Sequence, residues 1–176
     1  MEKYVFGNYM KFDENETLAR IYFSDEEAAS SVPLNVSLDS GSDRDLKPYD
    51  FCTAYLWTND YNVTVYKSEE DFQKANPRFA TKSMIPMGTF GPAEDDGNCQ
   101  QNAMILFSGV VQMIAVNTDW HEGIPRKMLR IDTYAISFDI YYFEDDDIKE
   151  GDLVHGQAWL YATLKRTEGE ADDAKL

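Results

Sequence analysis

The sequence predicts a mainly β protein. Tyr, Phe and Trp make up 14% of the 176 residues, and aromatic residues in this number favour strands over helices. Short apolar and aromatic runs recur along the chain, and polar or Gly- and Pro-containing connections separate them. The hydrophobic fraction of 43% is too high for a disordered chain. We therefore expect a folded chain built from many short strands.

The N-terminal half is expected to contain five strands and two short helices. The strands are predicted over residues 3–12, 18–23, 33–38, 49–57 and 61–67. Ser24 precedes Glu27 by three residues, which is the capping-box spacing for one or two helical turns that end before Pro33. A second short helix is predicted over residues 68–76, where "SEEDFQKAN" comes before Pro77.

The C-terminal half is expected to contain longer β runs. They are predicted over residues 103–116, 128–143 and 152–164. Residues 84–101 hold two Pro and three Gly, so they predict a long loop. This loop is the candidate internal boundary of a single β-rich domain spanning residues 1–166. Residues 167–176 predict an acidic, disordered tail.

Two glycine-containing segments of the C-terminal half show a further pattern. Gly109 lies inside the apolar run "FSGVVQMI", and "IKEGDLVHGQAWL" leads from an acidic turn into another strand. The second segment carries the residues Lys149, Glu150, Gly151, Asp152, Val154, Gly156 and Leu160. Over residues 103–164 this order of strands and turns resembles an OB-type β-barrel. The resemblance implies a small barrel in which Gly109 and Gly156 mark bends of the coiling strands. The N-terminal strands and the helices would then extend this barrel or pack against it.

The charge of the chain restricts its partners. It carries 32 acidic and 16 basic residues, a net charge of −16. Nucleic-acid binders need cations to replace phosphate counterions, so the composition argues against nucleic acid and against anionic membrane surfaces. It is compatible with a basic protein partner, a cationic ligand or a divalent metal. Acidic residues that serve only solubility would give the same composition.

The sequence also carries information on the cellular compartment. The segment "MEKYVFGNYMKF" lacks the apolar core of a signal peptide. No apolar stretch reaches the roughly 18 residues that a membrane helix needs. Cys52 and Cys99 are too few and too far apart for a disulfide framework, and we expect both to be reduced thiols. A cytoplasmic protein is therefore expected.

Asp119 and His121, in the segment "NTDWHEG", are the candidate metal ligands. They could bind a divalent metal with a carboxylate from elsewhere, or zinc with Cys99. Protein zinc sites usually draw on two or more His or Cys ligands, and neither His121 nor Cys99 has a companion at a ligand spacing. A solvated loop histidine is the favoured interpretation, and the metal site is the alternative.

Signals of catalysis are weak. A catalytic triad needs a histidine base, and the chain has only two histidines. The run "EDDD" lacks the alternating ligands of an EF-hand loop. It predicts a solvated turn in which Asp152 bonds backbone amides after Gly151. The glycines of "MGTFGPAEDDG" lack the Lys and the strand-to-helix context of a phosphate-binding loop. No cofactor is expected, and a non-catalytic protein is favoured over an enzyme.

Residues 153–164 alternate between two sets of side chains, which a strand points to opposite faces. One set is small and aliphatic and suits a barrel interior: Val154, Gly156, Ala158, Leu160, Ala162 and Leu164. The other is larger and amphipathic: Leu153, His155, Gln157, Trp159 and Tyr161. This second set is either an outer face covered by another element or an exposed recognition surface. For His155 alone, a partly buried histidine bonded to a backbone carbonyl is the favoured interpretation.

Aromatic residues are the positive signal for binding. They cluster on the two strongest predicted strands, as Tyr134, Phe138, Tyr141, Tyr142, Phe143, Trp159 and Tyr161. Because Tyr141 to Phe143 are consecutive, some must face away from the core. Exposed rings beside carboxylates suit a protein interface, or a cationic or sugar ligand. Burial under the N-terminal half is the alternative.

We predict a non-catalytic binding module that recognises a protein partner, expected to be basic, through an acidic and aromatic surface. The predicted binding residues are His155, Gln157, Trp159, Tyr161, Tyr141 and Trp120. One alternative is a metal-dependent enzyme or metal-binding protein that uses Asp119 and His121. The other is a binder of oligosaccharides or small ligands on the barrel face. The oligomeric state is left open.

Overall fold

A computed structural model describes residues 2–11, 16–23, 33–59, 62–89, 101–118 and 124–167. In these ranges the chain forms eleven strands and one helix. In chain order they are β1 (Glu2–Lys11), β2 (Thr17–Phe23), β3 (Pro33–Leu38), β4 (Phe51–Asn59), β5 (Asn62–Tyr66), α1 (Glu69–Ala75), β6 (Ser83–Ile85), β7 (Met104–Val116), β8 (Lys127–Asp132), β9 (Ser137–Tyr142), β10 (Leu153–Trp159) and β11 (Tyr161–Arg166). The prediction of a mainly β protein is confirmed.

Five strands close into a small barrel in the order β1, β2, β3, β11, β4 and back to β1. All neighbours are antiparallel except β3 and β11, which are parallel. Strand β1 closes the ring because it pairs along most of its length with β2 and through residues 2–5 with β4. A small closed barrel, as predicted, is therefore present.

The remaining strands form a sheet that starts from the end of β4. There β4 pairs in parallel with β9, and the sheet continues through β8, β7 and β10 to β5, with β6 paired to β7. The sheet curls back toward its origin. Its far part meets β4 again, where Thr58 Oγ1 donates to the Trp159 carbonyl at the end of β10, at 2.9 Å. Strand β10 then passes through Leu160 into β11 of the barrel. The two halves are thus joined at β4 and at the β10–β11 run.

The predicted location of the barrel was wrong. Of the segment 103–164, only β11 belongs to the closed ring, and the N-terminal strands supply the other four members. The alternation of apolar residues identifies strands equally well in both halves of the chain. Closure depends instead on pairings between distant segments, such as β1 with β4, which a local motif does not encode.

Two of the predicted long β runs are interrupted in the structure. The run 128–143 is a hairpin of β8 and β9, whose turn is fixed by the Thr133 hydroxyl. Thr133 Oγ1 accepts from the Ile136 amide at 3.0 Å and donates to the Ile136 carbonyl at 2.7 Å. The run 152–164 is interrupted at Leu160, where β10 ends and β11 begins.

Helix α1 confirms the prediction over residues 68–76. Ser68 is its N-cap and accepts a hydrogen bond from the Asp71 amide at 3.1 Å, and Phe72 is buried. The other predicted helix, which begins near Ser24, lies outside the described residues. In the part of the chain that the structure describes, no helix is long and apolar enough to cross a membrane.

The core is one cluster that receives side chains from both halves of the fold. The aliphatic set of β10 and β11 is buried, as predicted: Val154, Gly156, Ala158, Leu160, Ala162 and Leu164. Its members on β10 lie outside the closed ring, so this part of the set does not fill the barrel interior as predicted. Strand β4 alternates in the same way, with Cys52, Ala54, Leu56 and Thr58 buried and the residues between them half-buried. The opposite faces of these strands therefore point outward.

Gly156 allows two strands to approach closely. It lies opposite Val63 on β5 and opposite Phe107 on β7. A Cβ atom added to it would lie 2.1 Å from the Asn62 carbonyl oxygen, well inside contact distance. Gly109 is similarly confined, because its Cβ would lie 2.4 Å from Ile131 Cγ2 and 2.8 Å from the Asp132 carbonyl oxygen. Both glycines thus mark close approaches of backbone in the second sheet, not bends of the closed barrel.

We expect Gly156→Ala to destabilise the fold by about 3 kcal/mol, because the new methyl group meets a backbone oxygen that cannot move alone. Gly41→Ala is the matched control, since its Cβ would meet only side-chain atoms, Thr163 Cγ2 at 3.3 Å and Asp39 Oδ1 at 3.4 Å. Urea denaturation of both variants measures the difference. Equal stability of the two variants would contradict the proposed backbone clash.

Candidate binding face

An outward-facing group of aromatic residues is centred on β4. Tyr55 and Trp57 alternate with the buried residues of this strand, so both side chains stand on its outer side. Trp57 lies directly opposite Tyr161 of β11 on one edge and opposite Asp139 of β9 on the other. Residues paired in this way point to the same side of a sheet. Strands distant in sequence thereby bring their side chains together.

Four rings are in contact on this surface, which we call the aromatic face: Tyr55, Trp57, Tyr141 and Tyr161. The Trp57 and Tyr161 rings stack with centroids 4.4 Å apart and planes 15° from parallel. The Tyr141 ring is tilted against Trp57 at 5.3 Å. The hydroxyl oxygens of Tyr55 and Tyr141 are 3.4 Å apart. All four side chains are half-buried, so each ring is both packed and accessible to solvent.

A carboxylate lies beneath the rings. Asp139 points to the same side of the sheet as Trp57 yet is only 2% exposed. Its Oδ1 atom lies 3.2 Å from Nη1 of Arg130, the residue opposite it on β8. This contact is an ion pair but not a well-aligned hydrogen bond, since Oδ1 accepts none. Arg130 is one-third exposed and links the buried charge to the surface.

The surroundings of Tyr55 keep its hydroxyl protonated. Burial is the main cause that raises its pKa above the ordinary value, and the Tyr141 hydroxyl and the Asp139 carboxylate raise it further. The Tyr55 hydroxyl also lies 3.8 Å from the Met128 sulfur on β8. The aromatic face therefore presents neutral rings around one internal ion pair. This arrangement can stack on a ligand and hydrogen-bond to it.

The structure places five of the six predicted binding residues: Tyr141, Tyr161, His155, Gln157 and Trp159. Tyr141 and Tyr161 meet on the aromatic face through Trp57. Gln157 is exposed and Trp159 is half-buried on β10. Trp120 lies outside the described residues.

His155 lies under the helix-containing segment. Its ring packs against Phe79, with centroids 4.8 Å apart, and against the edge of Phe72 from α1 at 6.0 Å. Its Nδ1 atom lies 2.9 Å from the Ser108 hydroxyl. Burial lowers the pKa of His155, and a hydrogen bond with the Phe107 backbone opposes this in part. The outer face of β10 is thus covered at the His155 end and open near Gln157.

The predicted metal ligands lie outside the part of the chain that can be described, as does Cys99. Among the described residues, no group of three His, Cys, Asp or Glu side chains could hold a metal ion. Cys52 is a free and fully buried thiol, and burial raises its pKa to about 12, with the charge of Asp50 adding to the effect. A thiol in this environment is neither a nucleophile nor a metal ligand at neutral pH.

The acidic run before β10 is a solvated turn, as predicted. Glu144 to Asp147 are exposed, and Asp145 pairs with Arg126 at 2.9 Å. Asp152 is buried and organises the turn. Its Oδ2 accepts from the Lys149 amide at 2.8 Å and from Lys67 Nζ at 2.7 Å. The bonded amide therefore precedes Gly151, whereas the prediction placed it after.

Sequence reasoning overlooked Tyr55, Trp57, Asp139 and Arg130. A signal for the first two was present, because "YDFCTAYLW" alternates small or aliphatic residues with large aromatic ones. For Asp139 the local sequence predicts an exposed side chain, since a carboxylate in a strand usually faces water. Its burial follows only from the neighbouring strands.

Comparisons with protein-family models, with curated proteins and with solved structures find no match for this chain.

We expect Arg130→Met to destabilise the fold by about 3 kcal/mol, because it leaves the buried Asp139 carboxylate without a counterion. Adding Asp139→Asn to this variant removes the stranded charge and should recover most of the loss. Lys82→Met is the control. It breaks the more exposed Lys82–Asp132 pair and should cost less than about 1 kcal/mol. If the double variant were no more stable than Arg130→Met, the Asp139 charge would not be the cause.

We expect the His155 environment to make stability depend on pH. The lowered pKa means that the unfolded chain binds a proton more readily than the folded chain. The contribution of His155 to the unfolding free energy is therefore complete above the ordinary histidine pKa of 6.5. It is lost as pH falls through the lower pKa of the folded state. His155→Asn removes this titration and should flatten the pH dependence of the unfolding free energy between about pH 7.5 and 5.5. Gln157→Ala, on the same strand, should keep the wild-type slope. An unchanged pH dependence of the unfolding free energy in His155→Asn would contradict its assignment to His155.

Proposed function

We propose that this protein is a non-catalytic binding module that recognises a basic protein partner through the aromatic face. The observation that carries the proposal is the contact of four half-exposed rings on the outer side of β11, β4 and β9. Tyr and Trp are enriched at protein interfaces because they bury a large area at a small cost in conformational entropy. They also dominate the energetics of such interfaces.

The ion pair beneath the rings supports binding that excludes water. A buried charge without a partner would make desolvation of this surface costly. Here the Asp139 carboxylate already has Arg130 beside it, so a partner can cover the rings without stranding a charge. Asp139 Oδ1 also accepts no hydrogen bond. A cationic donor that displaces or joins Arg130 therefore finds an acceptor under the rings.

Charge supports a basic partner. The net charge of −16 attracts cationic proteins over long range and repels polyanions. At short range, a guanidinium group stacks on Trp and Tyr rings, and such contacts gain strength when water is excluded. Arginine side chains thus combine a positive charge with a planar group that stacks on the rings.

The finer classification of the barrel leads to an alternative. We infer that the barrel is OB-like, since five strands close in a ring in which β3 and β11 are parallel. Barrels of this class bind oligonucleotides and oligosaccharides, and the net charge disfavours the first of these. Neutral oligosaccharides that stack on Trp57 are therefore the second candidate ligand.

We expect an immobilised arginine-rich peptide to bind the full chain, and Trp57→Ala to weaken this binding by about tenfold or more. A lysine peptide of equal length should bind more weakly, and a glycine–serine peptide should not bind. Tyr134→Ala is the matched control, because Tyr134 is 90% exposed, lies in the turn between β8 and β9, and is not one of the four rings of the aromatic face. Surface plasmon resonance at moderate salt measures all three proteins.

Two outcomes would overturn the proposal. Equal binding by wild type and Trp57→Ala would show that net charge alone attracts the peptide. Saturable quenching of tryptophan fluorescence by a neutral oligosaccharide, lost in Trp57→Ala, together with no binding of the arginine peptide, would favour the oligosaccharide alternative.

A further inference from the structure

A groove lies at the opposite end of β4 from Trp57. It has a volume of about 380 Å³, within the range of small-molecule sites. It is lined by Val5, Phe6, Gly7, Asn8, Tyr22, Pro48 and Tyr49. These residues come from β1, from β2 and from the turn that leads into β4. The groove is separate from the aromatic face in every lining residue.

A bulge in β1 forms the floor of the groove. The pairing of β1 with β2 shifts register between Phe6 and Asn8, so Gly7 is the extra residue. A Cβ atom on Gly7 would lie 2.7 Å from Cε2 of Tyr22. The missing side chain therefore lets the Tyr22 ring lie against the β1 backbone, which provides a flat aromatic surface.

Tyr49 forms the wall, and its backbone is strained. Its φ angle is +75°, and among the described residues it is the only one other than glycine with a positive φ. Bulky residues rarely adopt this conformation, whereas Gly or Asn adopts it at lower cost. The Tyr49 side chain is 84% exposed and so adds nothing to the core. A tyrosine at this position lowers the stability of the fold and places a ring at the mouth of the groove.

Four hydrogen bonds hold Tyr49 in this conformation. The Tyr49 amide donates to the Phe6 carbonyl, and the Phe6 amide donates to the Asp50 carbonyl, both at 2.8 Å. Asp50 closes the turn on Lys47, as donor through its amide at 2.9 Å and as acceptor through Oδ2 at 2.8 Å. Strained residues fixed in this way cluster at ligand-binding positions.

The chemistry of the lining indicates the class of ligand. None of the seven lining residues is charged, although the chain carries a net charge of −16. Two tyrosine rings and a proline ring offer flat apolar surfaces for stacking. The tyrosine hydroxyls and the Asn8 amide supply hydrogen bonds for a carbonyl, hydroxyl or ring nitrogen. We propose that this groove binds a small, uncharged, planar-ring molecule, held between Tyr22 and Tyr49.

The proposal is tested by NMR titration of the full chain. The probes are indole, p-cresol and nicotinamide at roughly millimolar concentration, where fragments of this size bind. Benzoate and benzylamine are the charged controls. We expect at least one neutral probe to shift the amide signals of Gly7 and Asn8 in a saturable way, and the charged rings to bind about tenfold more weakly.

Tyr49→Asn separates a binding role from a structural one. Asn tolerates a positive φ, so this variant should melt at a higher temperature than wild type while losing the probe-induced shifts at Gly7 and Asn8. Tyr49→Gly is a second variant with the same expectation. Tyr134→Asn, at an exposed tyrosine outside the groove, should leave both the shifts and the affinity unchanged.

Three results would overturn the proposal. These are the absence of saturable shifts with all three neutral probes, undiminished binding by Tyr49→Asn, or a lower melting temperature in both Tyr49 variants. The outcome is independent of the arginine-peptide experiment, because no residue is shared between the two sites.

Discussion

The pairing of β4 with three other strands is the constraint on which the rest of the structure depends. One edge of β4 pairs with β1 through residues 51–54 and then with β9 through residues 57–59. The other edge pairs with β11 through residues 52–57. A single strand of nine residues thus closes the barrel and starts the second sheet. Its inner side chains are small or aliphatic, and they enter a core that both halves share.

The pairing of β4 with strands on both of its edges also creates the aromatic face. Because β4 has a neighbour on each edge near Trp57, the outer side chains of three strands meet there: Trp57, Tyr161 and Asp139. A ring above a buried carboxylate is energetically demanding unless a cation is close, and Arg130 supplies that cation from the next strand. The geometry of pairing and the electrostatics of the face are therefore inseparable. A change in the register of β9 by one residue would move Asp139 to the inner side of the sheet.

The sequence permitted a good prediction of local structure and a poor one of long-range pairing. Alternation of side chains located most of the strands and the buried set Val154 to Leu164, because a strand's two faces follow a period of two residues. It did not show that β11 enters the N-terminal ring, since nothing near residue 161 specifies β3 and β4 as its neighbours. For the candidate site, Tyr141 and Tyr161 were identified but Trp57, which joins them, was not. His155 was assigned to the same face, and the side chains that cover it, Phe72 and Phe79, come from a segment about 80 residues earlier in the chain.

The position of β11 has a consequence for how the chain reaches its native state during synthesis. This strand fills the gap between β3 and β4, yet it is made after every other strand that the structure describes. Until residues 161–166 leave the ribosome, both flanking strands present unpaired backbone groups, which are templates for pairing with other chains. The barrel cannot close one strand at a time and must close late and cooperatively. Protection of these two edges on the nascent chain is therefore a requirement that the topology places on the cell.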